Sequence, residues 1–298
     1  MSKIYEALEK AERERGSNRD FAPVLESEAG VTEKPEIIPE LGTGEGMISN
    51  PRLVSFYQPD SMATEQFRKL RTYILRGSIT HSLKTIMVTS ATEKEGKSTV
   101  AANLATGIAR ELQAYALLVD CDLRNPTLAS WFGVKGGRGL SDYLAGNVKI
   151  PELLRKTEVE RLRVLPGGGV QDNPVELIGS KKMQALIHEL KSRYDDRYVI
   201  LDSTPLLQTA EPEVLAKWVD GIIIVVRARV TPRETVKQAI ASLEKEKILG
   251  FVLNDLEFKS HGLFSRYFGS DGYYYKYGYG YGRRDKDHKR LRMKVFRK

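Results

Sequence analysis

The run Ser90-Ala91-Thr92-Glu93-Lys94-Glu95-Gly96-Lys97-Ser98-Thr99 has the residue types and spacing of a phosphate-binding loop, A-x-x-x-x-G-K-S-T. In such a loop the backbone N–H groups of residues 92–99 converge on an anion at a helix N-terminus. Lys97 then reaches the β/γ-phosphates of a nucleotide, and the Ser98 hydroxyl ligates Mg²⁺. Ala91 stands where the usual pattern has its first Gly, and alanine does not take a positive φ cheaply, so the first bend is expected to stay right-handed. Carboxylates supply the remaining chemistry: Asp120 and Asp122 follow the apolar run 115–119, and Asp202 follows the apolar run 198–201 in the Walker B manner. Mg²⁺ demands oxygen ligands and keeps several waters, and one spared carboxylate can orient or deprotonate an oxygen nucleophile during in-line phosphoryl transfer. Cys121, between the first two, falls on the opposite face of an extended chain and is read as packing.

These groups need elements to hold them. An apolar run over 84–89 predicts a strand into the loop, and 97–112 predicts a helix out of it. Further strands are expected at 115–119, 162–165, 198–201, 222–226 and 249–253, alternating with helices at 126–132, 140–144, 181–194, 212–218 and 232–245. Fully apolar strands alternating with amphipathic helices imply an α/β fold, P-loop NTPase-like, with a mostly parallel sheet covered by helices on both faces. Ligands then bind beyond the carboxyl ends of the strands, where the acidic residues stand. Gly167-Gly168-Gly169 lacks a following Lys-Ser/Thr and is read as a loop.

Upstream, Ile4, Ala7, Leu8 and Ala11 repeat at helical spacing, which predicts a short amphipathic helix over 1–15. Residues 16–50, rich in Gly, Pro, Ser and Glu without periodicity, read as a flexible linker. The segment 52–58 is expected to be extended, and a helix is expected over 62–76. The folded body is placed at 51–256 and a tail at 257–298.

With 41% hydrophobic residues the chain can bury a sizeable core, and no run of about 18 apolar residues suggests a membrane span. The charged N-terminus has no apolar stretch of the secretory kind, and the lone cysteine cannot form an internal disulfide; both fit a cytoplasmic protein. Of the net charge of +8, +7 lies in residues 283–298, a basic end suited to anionic lipid, nucleic acid or an acidic partner, or simply solvated.

The run Leu117-Leu118-Val119-Asp120-Cys121-Asp122-Leu123-Arg124 resembles the hhhDxDxR motif of the bacterial tyrosine kinases, the capsule and exopolysaccharide tyrosine autokinases. Glu65-x-x-Arg68-x-x-Arg71 resembles their ring-forming motif, although an i,i+3 surface pair would give the same spacing. Gly139-Leu140-Ser141-Asp142-Tyr143-Leu144, Asn173-Pro174-Val175-Glu176-Leu177 and Gly250-Phe251-Val252-Leu253-Asn254 are similar too. The opening Met1-Ser2-Lys3-Ile4-Tyr5-Glu6-Ala7-Leu8 resembles a cytoplasmic subgroup linked to exosortase-type exopolysaccharide loci. The resemblance implies ATP on Lys97, Mg²⁺ held by Ser98, Asp122 and Asp202, Asp120 as base toward a tyrosine hydroxyl, and Asn254 near adenine. It also implies a ring of identical subunits through Glu65, Arg68 and Arg71, a separate membrane activator of the polysaccharide co-polymerase type that keeps the kinase at the inner membrane face, and a phosphotyrosine phosphatase. The sequence departs from the family pattern at Thr204, usually Pro, and at Glu211, usually Asp.

Seven of the fourteen tyrosines lie between Tyr267 and Tyr281, mostly separated by Gly. Such a stretch cannot form core, because repeated Gly does not hold one backbone conformation. An adhesive low-complexity tail or a base-stacking platform has the same composition. The resemblance makes Tyr273, Tyr274, Tyr275, Tyr277, Tyr279 and Tyr281 the phosphoacceptors. Phosphorylation would add about −1.5 to −2 per residue, offset the basic end, and is expected to open the ring. Two other readings compete: a positioning ATPase of the partition or septum-site type, and a nucleotide-switched scaffold binding nucleic acid through its tail. The first needs a second Lys five residues before Lys97, where this chain has Thr92, and no nucleic-acid partner is expected.

Overall fold

The computed structural model describes residues 48, 50–81, 83–146, 148–193, 196–255 and 294–297. The amphipathic segment 1–15, nearly all of the linker 16–50 and the tyrosine cluster lie outside the described residues.

Parallel pairing is dictated by strands that are apolar throughout. β1 (Thr85–Ser90) is buried at every position, and β2 (Tyr115–Asp120), β5 (Arg197–Asp202) and β6 (Gly221–Arg227) are buried at all but one terminal residue. With β3 (Arg155–Lys156), β4 (Leu162–Leu165), β7 (Ile248–Asn254) and β8 (Lys294–Arg297) they form a sheet in the order β3-β4-β2-β5-β1-β6-β7-β8. The six strands from β4 to β7 run parallel, and the outermost strands, β3 and β8, run antiparallel. Because β1 sits between β5 and β6, its carboxyl end opens at the centre of the sheet, beside the end of β5 and one strand from β2.

Helices cover the sheet, as a sheet apolar on both faces requires. α1 (Val54–Tyr57) and α2 (Met62–His81) precede β1, and α3 (Lys97–Ala109) follows it. Beyond β2 come α4 (Leu128–Trp131), α5 (Leu140–Ala145) and α6 (Ile150–Leu153). Beyond β4 lie α7 (Pro174–Ile178) and α8 (Lys181–Ser192), and α9 (Glu211–Ala216) and α10 (Arg233–Ile240) flank β6. α3 is buried from Thr99 to Ala109 because the sheet lies on one side of it and α1 and α2 on the other. Among the described residues no helix is long and apolar enough to cross a membrane.

Two elements differ from the sequence expectation. The segment 52–58 is not extended: it carries α1, despite the β-formers Val54, Phe56 and Tyr57. The reason is tertiary. Asn103, wholly buried on α3, accepts from Ser55 N at 2.8 Å and donates to Arg52 O at 2.8 Å, so its amide meets a backbone that has turned inward. At the other end of the chain, residues 294–297 were expected to belong to a tail without regular structure. They pair with β7 in the register Leu253↔Lys294, Val252↔Val295, Phe251↔Phe296 and Gly250↔Arg297. A free strand edge offers unpaired N–H and C=O groups, and β8 takes them up.

Candidate active site

The loop between β1 and α3 turns twice through the left-handed region, at Lys94 (φ 60°) and Gly96 (φ 95°). Ala91 is buried and has no positive φ, as its side chain requires; the bend falls three residues later, on a lysine. Gly96 precedes the first turn of α3, and a Cβ there would run into Asn254 Nδ2. Ser90 Oγ donates to Thr92 O at 2.6 Å, while Thr92 N–H donates to Glu95 Oε2 at 2.9 Å. Thr92, expected to offer its N–H to phosphate, gives it to Glu95. The side chains of Glu93 and Lys94 are largely exposed, and Thr99 is buried in the first turn of α3. Asn254, expected near adenine, donates its amide to Glu95 O at 2.9 Å and thus braces the loop from the end of β7.

The expected acidic residues converge. Asp120 and Asp202 are register partners at the carboxyl ends of the neighbouring strands β2 and β5. Lys97 Nζ reaches Asp122 Oδ2 at 3.3 Å, both side chains being 15% exposed. Burial, and then the charge of Asp202, push the Asp120 carboxyl above the usual carboxylate range, although the N–H groups of Leu128 and Thr127 oppose this. Burial also raises Asp202, against the pull of Lys97 and Ser98. Asp120 Oδ2 accepts from Thr127 N and Leu128 N at 3.0 Å each, so the start of α4 fixes its orientation. Its Oδ1 receives only a 3.3 Å contact from Asp122 N and retains capacity for a proton. Gly167 passes close to the Asp120 backbone and Pro126, where a Cβ would crowd Pro126. The triple glycine thus lets its loop run beside the acidic strand end.

Both oxygens of Asp202 are buried and lack a well-formed hydrogen bond among the described residues. An orphaned buried carboxylate is costly unless a cation meets it. No cluster of three or more His, Cys, Asp or Glu among the described residues could hold a metal. Mg²⁺ needs no such cluster, since it takes one or two carboxylates, a hydroxyl, phosphate oxygens and water.

The expected oligomerisation residues lie on α2 but behave differently from one another. Glu65 and Arg68 pair at 3.0 Å and remain nearly half exposed. Arg71 turns to α3, donating to Gly107 O at 3.2 Å and pairing with Glu111 at 3.0 Å. Sequence reasoning missed two further pairs. Arg124 Nε meets Glu211 Oε1 at 3.0 Å, with the Glu211 side chain 1% exposed, and Thr231 Oγ1 donates to Glu95 Oε1. The departure of Glu211 from the family pattern was the only signal for the first; nothing local marks the second.

A sequence family described as an AAA domain matches residues 83–248. Tyrosine-protein kinase YwqD of Bacillus subtilis (strain 168) is 34% identical over 227 residues, which cover 75% of this chain and 94% of that protein. A putative tyrosine-protein kinase, CapB of Staphylococcus aureus, is 31% identical over 72% of this chain and 93% of its own length. Among solved structures, the kinase domain of the Escherichia coli tyrosine kinase ETK superposes with a TM-score of 0.65 at 28% identity, covering 73% of this chain and 86% of that one. Similarity that spans nearly the whole of these relatives, on a fold whose acidic strand ends meet a phosphate-loop lysine, places the chain among the bacterial tyrosine-protein kinases.

Proposed function

We propose that this tyrosine-protein kinase uses Mg-ATP to phosphorylate its own C-terminal tyrosines between subunits, and so regulates exopolysaccharide synthesis or export together with a membrane activator. The observation that carries the reading is the pairing of Asp120 with Asp202 across β2 and β5, beside a Lys97 held by Asp122. A cation, a metal-ligating carboxylate with free oxygens and a separately oriented carboxylate are what in-line phosphoryl transfer to a hydroxyl requires.

In this scheme Lys97 exchanges Asp122 for phosphate oxygens, a short move for a flexible ammonium. Ser98, Asp122 and Asp202 would hold Mg²⁺, which neutralises phosphate charge when bound. Asp120 takes the phenolic proton at Oδ1: burial and its acidic neighbours raise its proton affinity, and the N–H groups of Thr127 and Leu128 keep Oδ2 in place. The acceptors are Tyr273, Tyr274, Tyr275, Tyr277, Tyr279 and Tyr281, in a tail assigned to 257–298 that follows a kinase body of 51–256 and whose residues 294–297 join the sheet as β8. Glu65 and Arg68 supply the exposed contact of a homo-oligomeric ring. A phosphotyrosine phosphatase hydrolyses the phosphate from these tyrosines.

The test incubates the purified chain with Mg-ATP and maps phosphotyrosine by mass spectrometry, with Lys97→Met as control. Phosphate on residues 273–281 that depends on Lys97 supports the proposal. A tail left unmodified even with an activator fragment present would refute it.

A further inference from the structure

Glu95 is a puzzle in an anion-binding loop, since it places a carboxylate two residues before Lys97. The structure shows what that carboxylate does. Glu95 is 2% exposed, and both its oxygens are engaged: Oε2 accepts the Thr92 N–H at 2.9 Å, and Oε1 accepts the Thr231 hydroxyl. Its own carbonyl accepts from Asn254 Nδ2 at 2.9 Å. Thr231 belongs to the turn after β6, where Arg229 is left-handed (φ 63°) and Thr231 N–H bonds Arg227 O at 3.1 Å. That turn is itself fixed to the end of β7, because Ala228 N–H donates to Asn254 O at 2.9 Å. Glu95 therefore joins the loop at 91–96 to two segments that lie more than 130 positions away in sequence, the turn at 227–231 and the end of β7.

The loop needs this support. A left-handed Lys94 is a conformation that a non-glycine residue holds only when its surroundings over-determine it. A loop that must present N–H groups to an anion also binds best when its shape is set beforehand. We propose that Glu95 is a positioning residue of the phosphoryl-transfer site: by fixing the Thr92 amide and the Thr231 hydroxyl together, it holds the phosphate loop in register with the β6–β7 side of the site before nucleotide arrives. The inference rests on reading this loop as the nucleotide site. It assigns Glu95 no contact with substrate.

Its chemistry separates it from a mere charge effect. A glutamine can accept from Thr92 N–H through its carbonyl and donate to Thr231 Oγ1 through its NH₂, whereas alanine can do neither. The experiment uses the full chain with Glu95→Ala, Glu95→Gln, Thr231→Val and the double variant Glu95→Ala/Thr231→Val. Binding of a fluorescent ATP analogue with Mg²⁺, steady-state kinetics and amide exchange are measured on each. Glu95→Ala is expected to weaken nucleotide binding and raise the KM for ATP about tenfold, with kcat changed less than about threefold. Glu95→Gln is expected to return to within about threefold of the parent, Thr231→Val to follow alanine in direction, and the double variant to be no worse than Glu95→Ala. Exchange should rise at both 91–97 and 228–232 in Glu95→Ala and at neither in Glu95→Gln.

Unchanged nucleotide binding in Glu95→Ala, a Gln variant as impaired as Ala, or losses that add in the double variant would each overturn the proposal. If Glu95→Ala does not fold, Thr231→Val decides, because undisturbed exchange at 91–97 in that variant contradicts the link. A parent protein that binds no nucleotide refutes the reading of the loop, and the exchange comparison then still tests the link by itself.

Discussion

Lys97 Nζ lies 3.3 Å from Asp122 Oδ2, so the cation proposed to bind phosphate oxygens is already paired with a carboxylate from beyond β2. The same ammonium lowers the proton affinity of Asp202. One lysine thus offsets a cluster of carboxylates crowded at two strand ends.

Lys97→Met should therefore do more than remove a phosphate ligand. Without nucleotide or Mg²⁺ it is expected to lower stability by about 1–3 kcal/mol, since Asp122 and Asp202 lose their nearest cation. Added Mg²⁺ should recover more of that loss than it adds to the parent protein. Thermal melts with and without Mg²⁺ check this, and coincident melts for the two proteins would contradict it.

The Arg124–Glu211 pair is lopsided, with Glu211 almost fully buried, Arg124 half exposed, and Glu211 Oε2 lacking a partner among the described residues. Removing the arginine leaves a buried charge; removing the carboxylate leaves a guanidinium that water can reach. Arg124→Gln is expected to cost about 1–3 kcal/mol, after allowance for solvent screening of the exposed partner, and Glu211→Gln clearly less. Urea unfolding of the two variants decides, and the reverse ranking would be inconsistent with the pair as described.

The motif on α2 divides by role. Glu65→Ala with Arg68→Ala is expected to change the size of the assembly, measured by light scattering, while leaving the melting temperature within about a degree of the parent, because exposed i,i+3 pairs contribute little. Arg71→Ala should instead lower stability by about 1 kcal/mol through the lost contacts with Gly107 and Glu111. An Arg71 variant of full stability would show that its contacts with α3 carry no weight.

Asp220 provides a pH signature away from the site. Burial pushes its carboxyl up, but Lys191, the N–H groups of Thr85 and Lys84 and the Thr85 hydroxyl together bring it below the usual range. A carboxylate depressed in the folded state contributes stability that is fully present above its unfolded pKa, about 3.9, and lost as pH falls through the folded value. Asp220→Asn should cost about 1–3 kcal/mol at neutral pH, and the gap from the parent should close as pH drops below about 3.9. Denaturant midpoints across pH 2–7 give the answer; a gap independent of pH would exclude a role for the charge.

The contrast between what was and was not legible in the sequence follows distance along the chain. The phosphate loop was legible because strand, loop and helix are contiguous from 85 to 109, and the acidic strand ends because each aspartate closes an apolar run. Parallel pairing and α/β class followed from the same runs, but the strand order did not. α1 was not legible, since its conformation depends on Asn103, 48 positions from Ser55. Glu95 was read only as one of the phosphate-loop residues 92–99, and its side-chain partner was not legible because Thr231 lies 136 positions away. Helical spacing put Glu65, Arg68 and Arg71 on adjoining parts of one face, yet could not reveal that the Gly107 carbonyl waits beneath only the last of them.

The pairing of β8 with β7 bears on how this protein can be shortened. Residues 294–297 occupy the outer ladder of β7, which would otherwise end the sheet as a seven-residue strand with its backbone groups bare. A bare edge of that length is an adhesive for other bare edges. A kinase body trimmed at the end of β7 to remove the tyrosines would gain a sticky rim in the same cut. Its self-association would then reflect the trimming rather than the ring.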